Sequence, residues 1–284
     1  MRRWPRAGRW AAYLAVAIVF AIVCAVLSHW QFARNEQRAE ANRLISENYD
    51  ADPVPLADLI AGTDDFDPGD EWRPVALTGR YLPDEQLLAR NRAQGGTSAY
   101  EVIVPFQLED GRIVAIDRGW VPPAYEGGAE QVPAPPEGET TVIARLRPSE
   151  PLPTSGRGAP EGQLPTIHAA SIAALTGDGT VTTAYAIMVS EDPAPGEAPQ
   201  ALAPPEEDPG PHLSYAIQWI LFAIMGFAFL GYMIRTEIRA SREDDADDDE
   251  DEDDAPSPRT PRAKRPKRRD LDAEEEDAIL DGRR

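Results

Sequence analysis

One cysteine, three histidines and no lysine outside the C-terminal tail set the first limits on this 284-residue chain. Cys24 alone forms no intramolecular disulfide, so packing must hold the fold. The same scarcity excludes a copper site built on a cysteine pair, because soft thiolates select Cu(I). The usual catalytic signatures are missing too. There is no Gly-x-Ser-x-Gly elbow, no His-Glu-x-x-His, no phosphate-binding Gly-Lys loop and no Gly-x-Gly-x-x-Gly. With histidines only at positions 29, 168 and 212, metal or acid–base chemistry has few places to reside.

Cations are scarce where anions are dense. The net charge is −21, and residues 30–211 carry 12 Arg, no Lys and 30 acids, a net of −18. A domain so negative repels phosphate backbones, so no nucleic-acid partner is expected for it.

Two uncharged runs stand out. Trp10–Leu27 has 18 residues and Leu213–Ile234 has 22. At ~1.5 Å per residue they extend about 27 and 33 Å, enough to span a bilayer core of ~30 Å once flanks are included. Trp10, Tyr13 and Trp30 sit near the ends of the first run, and Tyr215, Trp219 and Tyr232 near those of the second, as in an interfacial aromatic belt. Arg2, Arg3, Arg6 and Arg9 precede the first span, Arg235, Arg239 and Arg242 follow the second, and Ser190–Trp219 has no Lys or Arg. The positive-inside rule therefore expects both termini in the cytoplasm and the centre outside, against the opposing weight of Arg34, Arg38 and Arg43. A cleaved signal peptide is the competing reading of the first run, with Val23-Cys24-Ala25 as the cleavage site. The length of the run and the immediate Trp30-Gln31 disfavour it. Val23 is too large to precede a lipidated cysteine.

The expected organisation is a basic N-terminus (1–9), a first transmembrane helix (10–29), an extracytoplasmic domain (30–211), a second transmembrane helix (212–234) and a charged, disordered cytoplasmic tail (235–284). Phe32–Asn48, rich in Glu, Gln, Arg and Ala, continues the first helix outward until Asp52-Pro53-Val54-Pro55 breaks it. Strands are predicted over Glu71–Tyr81, Gln86–Arg92, Tyr100–Leu108, Arg112–Val121, Thr140–Leu146 and Thr182–Val189, with Glu109-Asp110-Gly111 as a hairpin turn. Ala169–Leu175 reads as one or two helical turns, and Glu191–Pro211 as a stiff acidic linker. The fold class is thus an α+β membrane protein: two transmembrane helices flank a small antiparallel sheet or partly open barrel. The basic stretch Arg262–Arg269 lies between acidic blocks and reads as part of a solvated tail.

His212 stands just outside the second span and His29 at the outer end of the first, so the topology brings both imidazoles to one interface. A histidine at an apolar boundary suits an axial haem ligand, with Trp30, Tyr215 and Trp219 packing the macrocycle. The plainer alternative is an interfacial residue with an amphipathic ring. His168 precedes a helix start and reads as structural or exposed. Arginines at strand ends, in Arg90-Asn91-Arg92 and Asp117-Arg118-Gly119-Trp120, either grip a carboxylate or phosphate or close salt bridges within this acidic domain.

Two terminal spans, Trp30-Gln31, Arg90-Asn91-Arg92, Asp117-Arg118-Gly119-Trp120 and the run His212-Leu213-Ser214-Tyr215-Ala216-Ile217-Gln218-Trp219 together resemble the SURF1 (Shy1) family over about residues 10–240. The resemblance implies an assembly factor for cytochrome c oxidase, acting where haem a reaches the catalytic subunit, and no enzymatic activity. It implies oxidase subunits and the lipid bilayer as partners, a multi-pass protein of the cell (plasma) membrane, and His212 as the residue that meets the haem iron. His29 matches no family motif. The family usually shows glycine two residues before the Trp-Gln pair, where Ser28 stands here. The alternative function is a scaffold that stabilises oxidase subunits without touching haem.

Overall fold

The computed structural model describes residues 6–125, 128–156 and 158–252. The Arg2-Arg3 pair and the tail beyond Glu252, with its Arg262–Arg269 stretch, lie outside the described residues. Among the described residues there are three α-helices, α1 (Arg6–Asn48), α2 (Ala169–Thr176) and α3 (His212–Glu252). α1 and α3 each contain a stretch long and apolar enough to cross a membrane. Their large apolar side chains stand outward, with Val16 68% and Phe229 62% exposed, the reverse of a core helix in a soluble protein.

α1 outlasts its apolar run because Phe32–Asn48 is built from good helix formers. Arg43 adds i, i+3 and i, i+4 pairs with Glu40 and Glu47 on the outer face. α3 continues through Glu252, into the acidic stretch from Glu243 onward that composition reads as disordered. A helix already nucleated by an apolar span propagates at one hydrogen bond per residue, so composition alone sets its end poorly.

The chain divides into two compact units. Among the described residues, 6–21 with 224–252 form the first, and the second lies within Ile22–Ala223. In the first, Arg9 pairs with Glu237 at 2.9 Å. Phe20 also packs on Gly226, where a Cβ would lie 3.3 Å from the ring.

The second unit holds eight strands: β1 (Val54–Pro55), β2 (Pro74–Tyr81), β3 (Leu87–Gln94), β4 (Thr97–Leu108), β5 (Ile113–Val121), β6 (Thr140–Pro148), β7 (Gln163–Leu164) and β8 (Ala184–Asp192). Their order is β1-β2-β6-β8-β5-β4-β3-β7, and an added β2–β4 pairing joins β2, β6, β8, β5 and β4 into a ring. The β-rich domain is therefore a small closed barrel, with β1, β3 and β7 as extensions. Most pairs are antiparallel, but β5–β8 is parallel, bridged by the long excursion through β6 and α2. Closure occurs where Gly79 meets Leu108. A Cβ at Gly79 would lie 2.0 Å from the Gln107 carbonyl oxygen, so a side chain there would force the two strands apart.

Strand alternation sorts the residues onto two faces. Leu77, Val104, Phe106, Ile116, Val142 and Ala186 fill the barrel. Their neighbours Ile103, Ala115 and Tyr185 point the other way, where Ile167 and Ile172 of α2 cover part of that outer face. His168 caps α2, its ring nitrogen accepting from the Ser171 backbone N–H. The β4–β5 hairpin turns at the Gly111 predicted from sequence. The β3–β4 hairpin turns at Gly95-Gly96, both with positive φ, which only glycine adopts freely.

α1 enters this domain through its last turn. Asn48 donates to the carbonyls of Gly69 (2.8 Å) and Glu71 (2.9 Å), and Arg145 of β6 donates to the Tyr49 carbonyl (2.8 Å).

Candidate functional site

The histidine at the start of α3 is held by a side chain from α1. His212 Nδ1 lies 3.0 Å from Gln31 Oε1. An amide oxygen accepts, so Nδ1 is the donor of this contact, and the neutral ring held in this way is the tautomer that presents Nε2 to a metal. A hydrogen bond to the second ring nitrogen is also what fixes and strengthens ligating imidazoles.

Small residues allow this approach. Ser28 is buried and its hydroxyl donates to the Ala216 carbonyl at 2.9 Å. Cys24, one turn earlier, is fully buried, so Cys24, Ser28 and Gln31 form the stripe of α1 that faces α3. Ser28 makes this close contact with a hydroxyl that also satisfies a backbone carbonyl.

The loop before α3 shapes the other side of the ring. Asp208 accepts from the Gly210 N–H at 2.8 Å, and Gly210 has φ +62°. A Cβ at Gly210 would lie 3.2 Å from His212 Nε2, so glycine keeps space beside that nitrogen. Tyr215 and Trp219 follow His212 at i+3 and i+7, on the same side of α3. Tyr215 is 47% exposed and Trp30 55% exposed, both open to a flat ligand, while Trp219 packs edge-on to Phe222 with ring centroids 5.7 Å apart. His29 is exposed. Its side chain makes no hydrogen bond among those of the described residues, and no group of three or more His, Cys, Asp or Glu side chains among them has metal-holding geometry.

One arginine of each motif closes salt bridges, while the buried Nε of Arg90 has no hydrogen-bond partner among the described residues. Arg92 bridges Glu101 and Glu150, with a bidentate contact to Glu150 at 2.8 and 3.1 Å. Arg118, fully buried, binds Glu191 at 2.6 and 3.3 Å and the Pro133 carbonyl at 3.1 Å. Tyr81 donates its hydroxyl to the same Glu191 at 2.7 Å. Burial, with Glu191 adding to it, raises the pKa of the Tyr81 hydroxyl, so it remains a donor. In the same motif, Gly119 has φ +120°, and a Cβ there would come 2.3 Å from the Gln200 carbonyl oxygen. Only glycine lets the segment after β8 pair at this point, where Trp120 and Gln200 exchange hydrogen bonds of 2.8 and 2.9 Å.

Asp117 lies on the opposite face of β5 from Arg118. Burial, reinforced by the charge of Glu101, pushes its carboxyl well above the usual range, although the Gly119 N–H donates to it at 3.0 Å. Burial also raises Glu101, against the pull of Arg92.

Sequence reasoning named His212, Tyr215, Trp219 and Trp30 but not Gln31 as a ring partner, nor Gly210 as the spacer. The alternation Ser28–Gln31 on α1 held the signal for the first.

The sequence profile of the SURF1 family matches residues 18–224. A SURF1-like protein of Mycobacterium tuberculosis is 38% identical over 242 residues, covering 84% of this chain and 88% of the relative. The cytochrome oxidase assembly protein SHY1 of Saccharomyces cerevisiae is 29% identical over 111 residues, 38% of this chain and 28% of its own. A SURF1-like protein of Dictyostelium discoideum is 29% identical over 107 residues, 36% of this chain and 40% of the relative. A profile match over most of the chain, together with a relative aligned along nearly its whole length, shows that this chain belongs to the SURF1 family.

Proposed function

We propose that this protein assists assembly of cytochrome oxidase by holding haem a transiently at His212 and handing it to an oxidase subunit. The observation that carries this reading is the setting of His212: Nδ1 is engaged by Gln31, and Nε2 lies beside the space that Gly210 leaves open. The residues present fit the cargo. An imidazole nitrogen suits haem iron, and Trp30 and Tyr215 offer exposed aromatic surface to a macrocycle. Family membership and the SHY1 relative support the assembly role.

The chain's own part is to bind, orient and release, with no covalent change. Gln31 fixes the ring and its tautomer. A single histidine ligand exchanges more readily than a pair, as handover requires. In this reading the apolar helices anchor the protein in the plasma membrane, both termini are cytoplasmic, and the barrel reaches oxidase subunits on the outer side.

The test is the absorption spectrum of the full chain purified from haem-a-producing cells, wild type beside His212→Ala. The expected result is a haem band in the wild type and its loss in the variant. Haem-free wild type, with oxidase haem content unchanged in a deletion strain, would overturn haem handling. Normal oxidase activity with His212→Ala would favour a scaffold that grips subunits alone.

A further inference from the structure

The outer face of the barrel carries a second polar site, far from His212. Outward residues of five adjacent strands line up across the sheet: Arg145 and Arg147 on β6, Tyr185 on β8, Asp117 on β5, Glu101 on β4 and Arg92 on β3. They line a cleft of about 240 Å3. Tyr49 and Trp72 form one wall, and Leu202 and Pro205 of the linker the rim. Gln31, the partner of His212, lies 18 residues before Tyr49 along α1, or about 27 Å at the helical rise.

The chemistry of the lining is one-sided. Arg145 stacks on Tyr49 at 3.7 Å and Arg147 on Trp72 at 3.9 Å, which holds both guanidinium planes in place. Trp72 is kept there in a left-handed backbone conformation (φ +70°) that a bulky aromatic seldom adopts. Arg147 gives one bond to Glu71 at 2.7 Å, and its buried Nε has no acceptor among the described residues. The outer nitrogens of Arg145 face only Asp50, at 4.0 Å and 94% exposed. The floor adds the Tyr185 hydroxyl and the Asp117 carboxyl, both of which burial shifts toward the protonated form. On the far wall Glu101 and Glu150 are already occupied by Arg92. The cleft therefore presents donors in excess of acceptors.

We propose that this cleft binds the C-terminal carboxylate of a protein chain, with the last side chain against the apolar rim. A guanidinium fork matches a carboxylate bidentately. Charge favours one negative charge over two: Arg92 is paired with Glu101 and Glu150 and Arg147 with Glu71, which leaves Arg145 as the guanidinium facing only the distant, exposed Asp50, inside a domain of net −18 that repels a phosphate dianion. Size favours a chain end over a whole small molecule. Pockets for drug-sized ligands occupy roughly 300–1,000 Å3, and this cleft is smaller and open on one side. Ile187, Met188 and Leu202 supply the contact for an aliphatic side chain. The inference stands apart from haem handling and survives if that reading fails.

The probe is N-acetyl-alanyl-leucine as free acid and as C-terminal amide, titrated by calorimetry into the full chain in detergent. The free acid is expected to bind, and the amide at least about tenfold more weakly. Arg145→Gln should weaken the acid by about tenfold, and Arg145→Lys should restore only part, because an ammonium is not a fork. Inorganic phosphate should not displace the acid. Equal binding of acid and amide, displacement by phosphate, or no binding of the acid up to about 20 mM overturns the proposal. The acid–amide comparison is made on the wild-type protein, so it does not depend on any variant folding.

Discussion

Glu191→Gln tests whether the barrel is locked by its buried ion pair. The substitution keeps the shape of the side chain and removes its charge. Arg118 would then sit fully buried beside a neutral amide, its other bond being the 3.1 Å contact to the Pro133 carbonyl. Removing one partner of a buried pair costs about 3–5 kcal/mol, because the remaining charge stays desolvated. The Tyr81 hydroxyl keeps an acceptor in the amide oxygen, so its share is preserved. Glu191→Ala should cost about 1–3 kcal/mol more, since that hydroxyl is then orphaned as well. Replacing all three members together (Tyr81→Phe, Arg118→Met, Glu191→Met) removes the stranded charge and hydroxyl, leaving only the Pro133 carbonyl without its donor, and should recover most of the loss. The assay is urea unfolding of the full chain in detergent, followed by tryptophan fluorescence. With a slope of about 2 kcal/mol per M, Glu191→Gln should lower the midpoint by about 1.5–2.5 M. A midpoint shift under about 0.3 M, or a triple variant less stable than Glu191→Gln, would refute the reasoning.

Three other outcomes follow from the same structure. Gly119→Ala should destabilise the chain by at least about 2 kcal/mol in the same assay, through strain at φ +120° and the 2.3 Å approach to Gln200, and should speed proteolysis of the 193–211 linker. Folded Asp117 holds its proton at pH values where the unfolded chain has lost it. Stability should therefore fall as pH rises from the ordinary aspartate range toward the raised folded value, and Asp117→Asn should flatten urea midpoints compared at pH 5 and 8, where Glu101, raised as well, leaves a smaller slope of the same sign. Ser28→Leu should part α1 from α3 at Ala216 and break the Gln31–His212 contact, read as a lost coupling in the His212 imidazole NMR resonances; an unchanged spectrum counts against the close approach.

The sequence by itself determined the elements whose cause is local. Two long apolar runs dictate two long helices. Alternating residues between Gly and Pro signals dictate strands near the observed limits, as for Arg112–Val121 and Thr140–Leu146. His212 was marked as a candidate by its place at an apolar boundary among aromatics, and by the resemblance of His212–Trp219 to the SURF1 family. Tertiary structure decided what depends on residues distant in the chain. Closure of the barrel rests on Gly79 meeting the backbone of β4, and nothing near Gly79 announces that neighbour. Arg118 reads from sequence as either a ligand grip or a salt bridge, and the arrival of Glu191 from 73 positions later settles it as a bridge. The carboxylate cleft was illegible for the same reason. Its donors come one or two to a strand, and only the lateral order of β6, β8, β5, β4 and β3 puts them side by side. Periodicity fixes which way a side chain points along its own strand, while burial and charge depend on what the rest of the chain brings to meet it.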